Sequence, residues 1–266
     1  MRAAPSVALP GAVDSNSPIW WADGGWFSIT SAGIPVLTKG FIFPWEEGFP
    51  RRVRVDWQRT SVWFESVWRH TDGTLYAWYH HEPSGLCENG LTAPQIGAAV
   101  SYDNGQSFTD LGIILEAADS IDCDAKNGFF GGGHGDFSVI PDRKNEYFYF
   151  LFGNYGGPLE HQGISLARIP FSSLAHPVGE VWKWHEGEWS EPGVGGQVTP
   201  VWPARKAWQD EDTDSFWGPS IHWNTAIERY VIVMNHACCA PFWPQEGAYI
   251  AIAEQLEDPT SWPSPT

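Results

Sequence analysis

The chain has 266 residues, 42% of them hydrophobic, 15% aromatic and only 18% charged, with 28 Gly and 21 Pro. That length can bury a substantial core as one all-β domain, so residues 1–266 read as a single unit, and abundant Gly and Pro without a low-complexity tract point to short strands joined by turns. The formal net charge of −17 repels phosphate backbones and anionic lipid, which argues against nucleic acid and membrane surfaces as partners.

No apolar run approaches the length of a membrane-spanning helix. Met1 to Pro10 lacks the basic and apolar regions of a leader peptide. Localisation stays open: secreted or periplasmic if a leader has been removed, cytoplasmic otherwise. The four cysteines, Cys87, Cys123, Cys238 and Cys239, lack CxxC metal spacing. Adjacent cysteines rarely pair with each other, and the disulfide state of the four and the redox compartment stay open.

Taken in chain order, four segments share one plan: a serine, an apolar strand, a polar turn, then an aromatic-rich strand. The first is Ser17-Pro18-Ile19-Trp20-Trp21, turning at Asp23-Gly24 into Trp26-Phe27. The second is Ser66-Val67-Trp68, turning at Asp72-Gly73 into Leu75-Tyr76-Ala77-Trp78-Tyr79. The third is Ser138-Val139-Ile140, turning through Asp142 to Asn145 into Tyr147 to Phe152. The fourth is Ser220-Ile221-His222-Trp223, turning through Asn224 to Glu228 into Tyr230 to Met234. Aspartate-glycine between apolar runs is a strong hairpin signal because the turn needs positive φ.

Third strands follow three of these hairpins, at Gly97 to Ser101, Gly163 to Ala167 and Gly247 to Ala251. The stretch Ser101-Tyr102-Asp103-Asn104-Gly105-Gln106-Ser107-Phe108 resembles the Asp-box of sialidases and other propellers, a structural turn. Repeated four-stranded units predict a β-propeller with inner strands near 17–22, 65–70, 137–141 and 219–224. A sandwich or jelly roll does not call for the same unit four times. Leu256 to Trp262 reads as the outer part of the fourth blade. A closing blade is short, absent or partly built from residues before Asp14.

In a propeller, residues just before each inner strand and just after each second strand converge on the central funnel. The first set includes Asp14, Asn16, Trp63, Glu65, His134, Asp136 and Trp217; the second includes His80, His81, Glu82, Asn154, Tyr155, Asn235 and His236. A carboxylate before three of the four inner strands, with His-His-Glu closing a second strand, exceeds what loop polarity requires. Several carboxylates in one funnel split their pKa values through burial and mutual repulsion, which is what glycosidic cleavage needs. Most of the 17 Trp belong to the core of a strand-rich fold, whereas Trp63, Trp217 and Trp223 are placed to stack on a sugar ring.

With these motifs the chain resembles the five-bladed propeller glycosidases, the arabinanase, β-xylosidase and levansucrase-like group, and most closely bacterial members of unassigned activity. The resemblance spans roughly residues 12–262 at the level of the repeat. It implies Asp14 as general base, Glu65 as the orienting and tuning carboxylate and Asp136 as general acid, with Glu82 the alternative acid. Asn16, Trp63, His80, His81, His134, Trp217, His222, Asn235 and His236 would contact substrate. The sequence departs from that pattern. Glu and Asp are exchanged at the second and third positions, and the offsets from the repeat serine are −3 for Asp14, −1 for Glu65 and −2 for Asp136. Side chains alternate along a strand, so these three point alike only if the strand starts are irregular.

Adjacent His80 and His81 face opposite ways on a regular strand and cannot both ligate one ion without a bulge, so no transition-metal site is assigned. No cofactor is required, although His134 resembles a histidine lying near an axial ion in those enzymes, leaving room for axial calcium or sodium. The alternative to an enzyme is a non-catalytic glycan-binding propeller.

Overall fold

The computed structural model describes residues 9, 11–40, 49–57, 59 and 61–266. Four antiparallel sheets follow one another along the chain and form the blades of a β-propeller. The first holds β1 (Ile19–Ala22), β2 (Gly25–Thr30), β3 (Val36–Lys39) and β4 (Arg51–Arg52). The second holds β6 (Val62–Arg69), β7 (Leu75–His81), β8 (Gln95–Ser101) and β9 (Ser107–Leu115), with the short β5 (Arg54–Val55) added in parallel to β9. The third runs β10 (His134–Pro141), β11 (Tyr147–Asn154), β12 (Gly163–Pro170), β13 (Trp182–His185) and β14 (Glu188–Pro192), and β15 (Trp202–Pro203) also pairs with β12. The fourth holds β16 (Asp214–Asn224), β17 (Arg229–Cys238) and β18 (Gln245–Ala253).

The predicted inner strands correspond to β1, β6, β10 and β16, and these approach one another at the axis. Asp23 and Gly24 both take positive φ, 47° and 73°, as a two-residue hairpin demands. The Asp-box stretch closes the β8–β9 hairpin: Asp103 accepts from Ser107 N at 2.8 Å, and Ser101 Oγ accepts from Gly105 N at 2.9 Å. Its role here is structural. Leu256 to Trp262 contains a short 3-10 turn at Pro259–Ser261, and Thr266 exchanges backbone hydrogen bonds with Ile250 on the outer edge of the fourth blade.

The period of two along each strand divides the core among blade interfaces. On β11, Phe148, Phe150 and Phe152 meet Trp78, Ile96 and Ile114 of the second blade, while Tyr149 and Leu151 meet Tyr230, Ile232 and Met234 of the fourth. Trp20, Phe27 and Ile29 of the first blade pack on Val62, Phe64, Tyr79 and Phe108 of the second. The outward faces of the end blades are apolar and exposed. Ile19, Trp21 and Trp26 on the first blade are 48%, 53% and 43% exposed, and Ile250 and Ile252 on the fourth are 46% and 45% exposed.

Two of the repeat serines, Ser66 and Ser138, fasten blade to blade. Ser66 Oγ accepts from Val139 N at 3.0 Å and Ser138 Oγ from Ile221 N at 3.4 Å, in each case the amide just after the next blade's serine. Ser220 is exposed on the open face of the fourth blade.

Two disulfides are present: Cys87–Cys123, with Cα atoms 5.5 Å apart, and Cys238–Cys239. The second joins adjacent residues, a pairing that is rare. Cys239 takes positive φ, 69°, so the chain turns locally and brings the two sulfurs together. Among the described residues no helix is long and apolar enough to cross a membrane.

Candidate functional site

The irregular strand starts that the offsets require are present as β-bulges. Pairing in β6 shifts between Phe64 and Ser66, in β10 between Gly135 and Phe137, and in β16 between Trp217 and Ser220. The extra residue in the first two is Glu65 and Asp136, so each bulge turns a carboxylate toward the axis. Asp136 sits at φ 44°, a left-handed conformation that aspartate tolerates better than most side chains. At the matching place in the fourth blade, Gly218 has φ 57° and there is no carboxylate.

These residues surround one cavity of about 790 Å³. Asp14, Asn16, Trp63, Glu65, His80, Glu82, Asp136, Trp217 and Asn235 all line it. Asn16 stitches the axis together, its amide donating to Phe137 O at 2.8 Å and Pro219 O at 3.4 Å. Asp14 is exposed at the rim. Glu65 is only 4% exposed; its Oε2 accepts from Phe137 N at 2.9 Å and its Oε1 lies 3.4 Å from His80 Nδ1. His80 Nε2 meets Glu82 Oε1 at 3.2 Å, so the imidazole lies between two glutamates. Asp136 Oδ2 accepts a hydrogen bond from the Tyr155 hydroxyl, and Asp136 N lies 3.2 Å from His80 Nδ1.

Burial raises Glu65 to about 7, against the opposing pull of His80. Burial likewise raises Asp136, with Glu82 and Asp14 adding to the push and His80 and Tyr155 resisting it. Burial alone would lower His80, but hydrogen bonds to Glu65 and Glu82 and the charge of Asp136 lift it to about 10. The flanking glutamates thus favour a proton on His80, while burial makes Glu65 and Asp136 hold their protons to higher pH than free carboxylates do. Glu65, His80 and Asp136 place three ligand atoms within 4.8 Å of one another, the donor set a cation would meet here. A second cluster, Asp214, His236 and Cys238, has its sulfur committed to the disulfide.

Four expected substrate-contacting histidines do not line the cavity. His81 follows His80 on β7 and points to the other side of the sheet, as strand alternation dictates. His134 is buried with its ring 4.7 Å from Phe152, and burial together with the charge of Lys183 holds it well below its ordinary value. His222 is exposed on the open face of the fourth blade. His236 bridges Asp214 and Glu246, 2.9 Å to each, and ties β16, β17 and β18 together. Trp223 also lies elsewhere, packed edge-on against Tyr230 with Arg143 over its ring.

Other lining residues come from long connections without periodicity. Phe129 and Phe130 precede β10, while Phe242 and Trp243 follow the Cys238–Cys239 turn at φ 63° and 51°. Trp243 joins Phe129 at 4.8 Å and Trp217 at 6.0 Å between ring centroids, making an aromatic wall. The Gly131-Gly132-Gly133 run beside Phe129 and Phe130 is the one sequence signal of a tight approach here. Gly135 shows how closely the site is packed, because a Cβ there would lie 2.6 Å from His80 Cε1 and 2.9 Å from Nδ1. Gly135→Ala is expected to displace the His80 ring and to cost about 1–3 kcal/mol of stability, as overpacking does. Thermal unfolding and the His80 imidazole NMR resonances check this; an unmoved ring would refute it.

No family model matches the chain, and no curated protein matches it. Among solved structures, a thermostable family-43 glycoside hydrolase superposes with TM-score 0.54 at 12% identity, covering 93% of this chain and 70% of its own. The α-L-arabinanase of Cellvibrio cellulosa gives 0.53 at 14% identity, covering 92% and 72%. The exo-β-1,3-galactanase of Phanerochaete chrysosporium bound to galactose gives 0.56 at 12% identity, covering 99% of this chain and 52% of that one. At these identities the likeness establishes the fold: the chain has the β-propeller architecture seen in family-43 glycoside hydrolases.

Proposed function

We propose that the protein is a glycoside hydrolase that cleaves a poly- or oligosaccharide by carboxylate acid–base chemistry in the central cavity. One observation carries this reading: Asp14, Glu65, Glu82 and Asp136 meet around one cavity, and burial raises the pKa of two of them, Glu65 and Asp136. Asp136 is the general acid. It delivers its proton to the glycosidic oxygen as the bond to the anomeric carbon breaks. Asp14, exposed at the rim where water enters, is the general base that takes a proton from the attacking water. Glu65 orients and tunes through His80 and through its own charge. The aromatic wall supplies flat faces for the sugar ring. No step requires a cofactor. The fold likeness to sugar-cleaving enzymes supports this reading, and the direct experiment is a broad polysaccharide screen with released reducing ends as readout. Ligand binding without hydrolysis across that screen would favour the glycan-binding alternative.

The exposed apolar faces of the first and fourth blades support a propeller of the five-bladed type with an incomplete or atypical closing blade.

The pH dependence follows from the coupled carboxyls. The acid must be protonated, and burial with the nearby charges of Glu82 and Asp14 raises Asp136, so the alkaline limb of turnover is expected above the ordinary carboxylate range. Glu65→Gln removes a negative charge beside Asp136 and makes that acid easier to ionise, which shifts the alkaline limb of kcat/KM to lower pH. An alkaline limb that stays in place in Glu65→Gln contradicts the tuning role.

A further inference from the structure

The charge around the cavity is one-sided. Among the described residues its lining contains four carboxylates and no lysine or arginine. The nearest positive group, His80, is already held between Glu65 and Glu82. Glu65 is almost fully buried, with its Oε1 paired to His80 at 3.4 Å, whereas Asp14 is exposed at the rim and Glu82 is partly exposed. The carboxylates of Asp14 and Glu82 are the ones presented to a ligand entering the cavity. Trp217, Trp243, Phe129 and Phe242 also line the cavity, and aromatic ring faces carry partial negative charge.

Carboxylates and rings therefore favour the same ligand chemistry. An ammonium group donates up to three charge-assisted hydrogen bonds to carboxylates and is attracted to aromatic faces. The C–H face of a sugar ring packs on the same aromatics. A uronate brings a further negative charge to a lining whose one basic side chain among the described residues, His80, is already paired with Glu65 and Glu82. N-acetylation removes the positive charge and fills the space with a methyl amide.

We propose that the cavity selects a cationic sugar, a glycan whose residue in the site bears a free amino group, over neutral, N-acetylated or uronic counterparts. This rests on the reading of the cavity as a saccharide site and adds the substrate class to it.

The test is calorimetric titration of the full chain at pH 6 with tetrasaccharides of one linkage in three forms: β-1,4-glucosamine, its fully N-acetylated form, and β-1,4-glucose. A tetragalacturonate and the polyamine spermine complete the set. The glucosamine form is expected to bind at least about tenfold more tightly than either counterpart, with an affinity that falls several-fold as salt is raised from about 0.05 to 0.5 M. Glu82→Gln should narrow the ratio of affinities between the glucosamine and glucose forms, and Trp243→Ala should weaken all three. Equal affinity for the glucosamine and glucose forms, or tighter binding of the galacturonate, overturns the proposal. So does spermine competing as well as the sugar, because the acidic surface alone would then explain the attraction. Binding of the amino form without cleavage would defeat the hydrolase reading and leave this inference standing. Cleavage of a neutral glycan with no competition from the amino form would do the reverse.

Discussion

Asp136→Asn is expected to cut turnover by about 10²–10⁴-fold, the usual value of general acid–base assistance, with the melting temperature nearly unchanged. Asparagine is well suited to the substitution because it tolerates the left-handed backbone that Asp136 adopts at φ 44°. Its amide oxygen still accepts the hydrogen bond from Tyr155 that now ends on Asp136 Oδ2. The variant keeps the shape of the site and loses only the exchangeable proton. Asp14→Asn should behave alike. Its side chain is exposed, so stability has even less reason to change. The measurement is initial rates on the glycan that the wild type cleaves best, beside calorimetric melting and equilibrium binding of the same glycan. Retained binding with lost turnover places both aspartates in the chemistry. Full activity in Asp136→Asn moves the acid to Glu82, the neighbouring carboxyl on the same wall. Unfolding of both variants would assign the aspartates to holding the strand starts in place.

Much of the architecture was legible because a propeller repeats its grammar. Each blade needs an inner strand, a hairpin and an aromatic second strand, and that unit recurs with recognisable turn residues. The serine of the unit was visible long before its purpose: only the neighbouring blade reveals that Ser66 and Ser138 receive amides from Val139 and Ile221. The carboxylates were located, but their different offsets argued against a common direction. Bulges at Glu65 and Asp136 resolve this, and a bulge is one unpaired residue in a register that depends on the partner strand. The histidines were over-read. Strand alternation separates His81 from His80, and His236 is consumed by Asp214 and Glu246, partners that lie on two other strands. The aromatic wall was missed because Phe129, Phe242 and Trp243 sit in connections where no period marks the facing side. The Cys238–Cys239 bridge depends on one local positive φ, which composition does not announce.

Trp78→Ala should destabilise the fold by about 3–5 kcal/mol, the usual loss when a large buried aromatic is truncated. Trp78 is 2% exposed and lies in the interface between the second and third blades, with Phe148 at 5.2 Å and Phe150 at 5.7 Å from its ring. Its neighbours are strands of two stiff sheets, which relax poorly around a void, so the upper part of that range is the more reasonable. Trp217 has the opposite setting. It is half-buried at the cavity, and its ring reaches Trp243 at 6.0 Å. Trp217→Ala should cost little stability and should weaken saccharide binding, because stacking on that face is lost while the sheets stay packed. Chemical denaturation of both variants, with glycan titration of each, separates the two kinds of tryptophan that composition alone counts together. A large stability loss in Trp217→Ala with unchanged binding would place that ring in the core and remove it from the sugar face. A small loss in Trp78→Ala would mean that the second and third blades do not depend on their shared aromatic cluster, and the packing argument for blade-to-blade cohesion would fail with it.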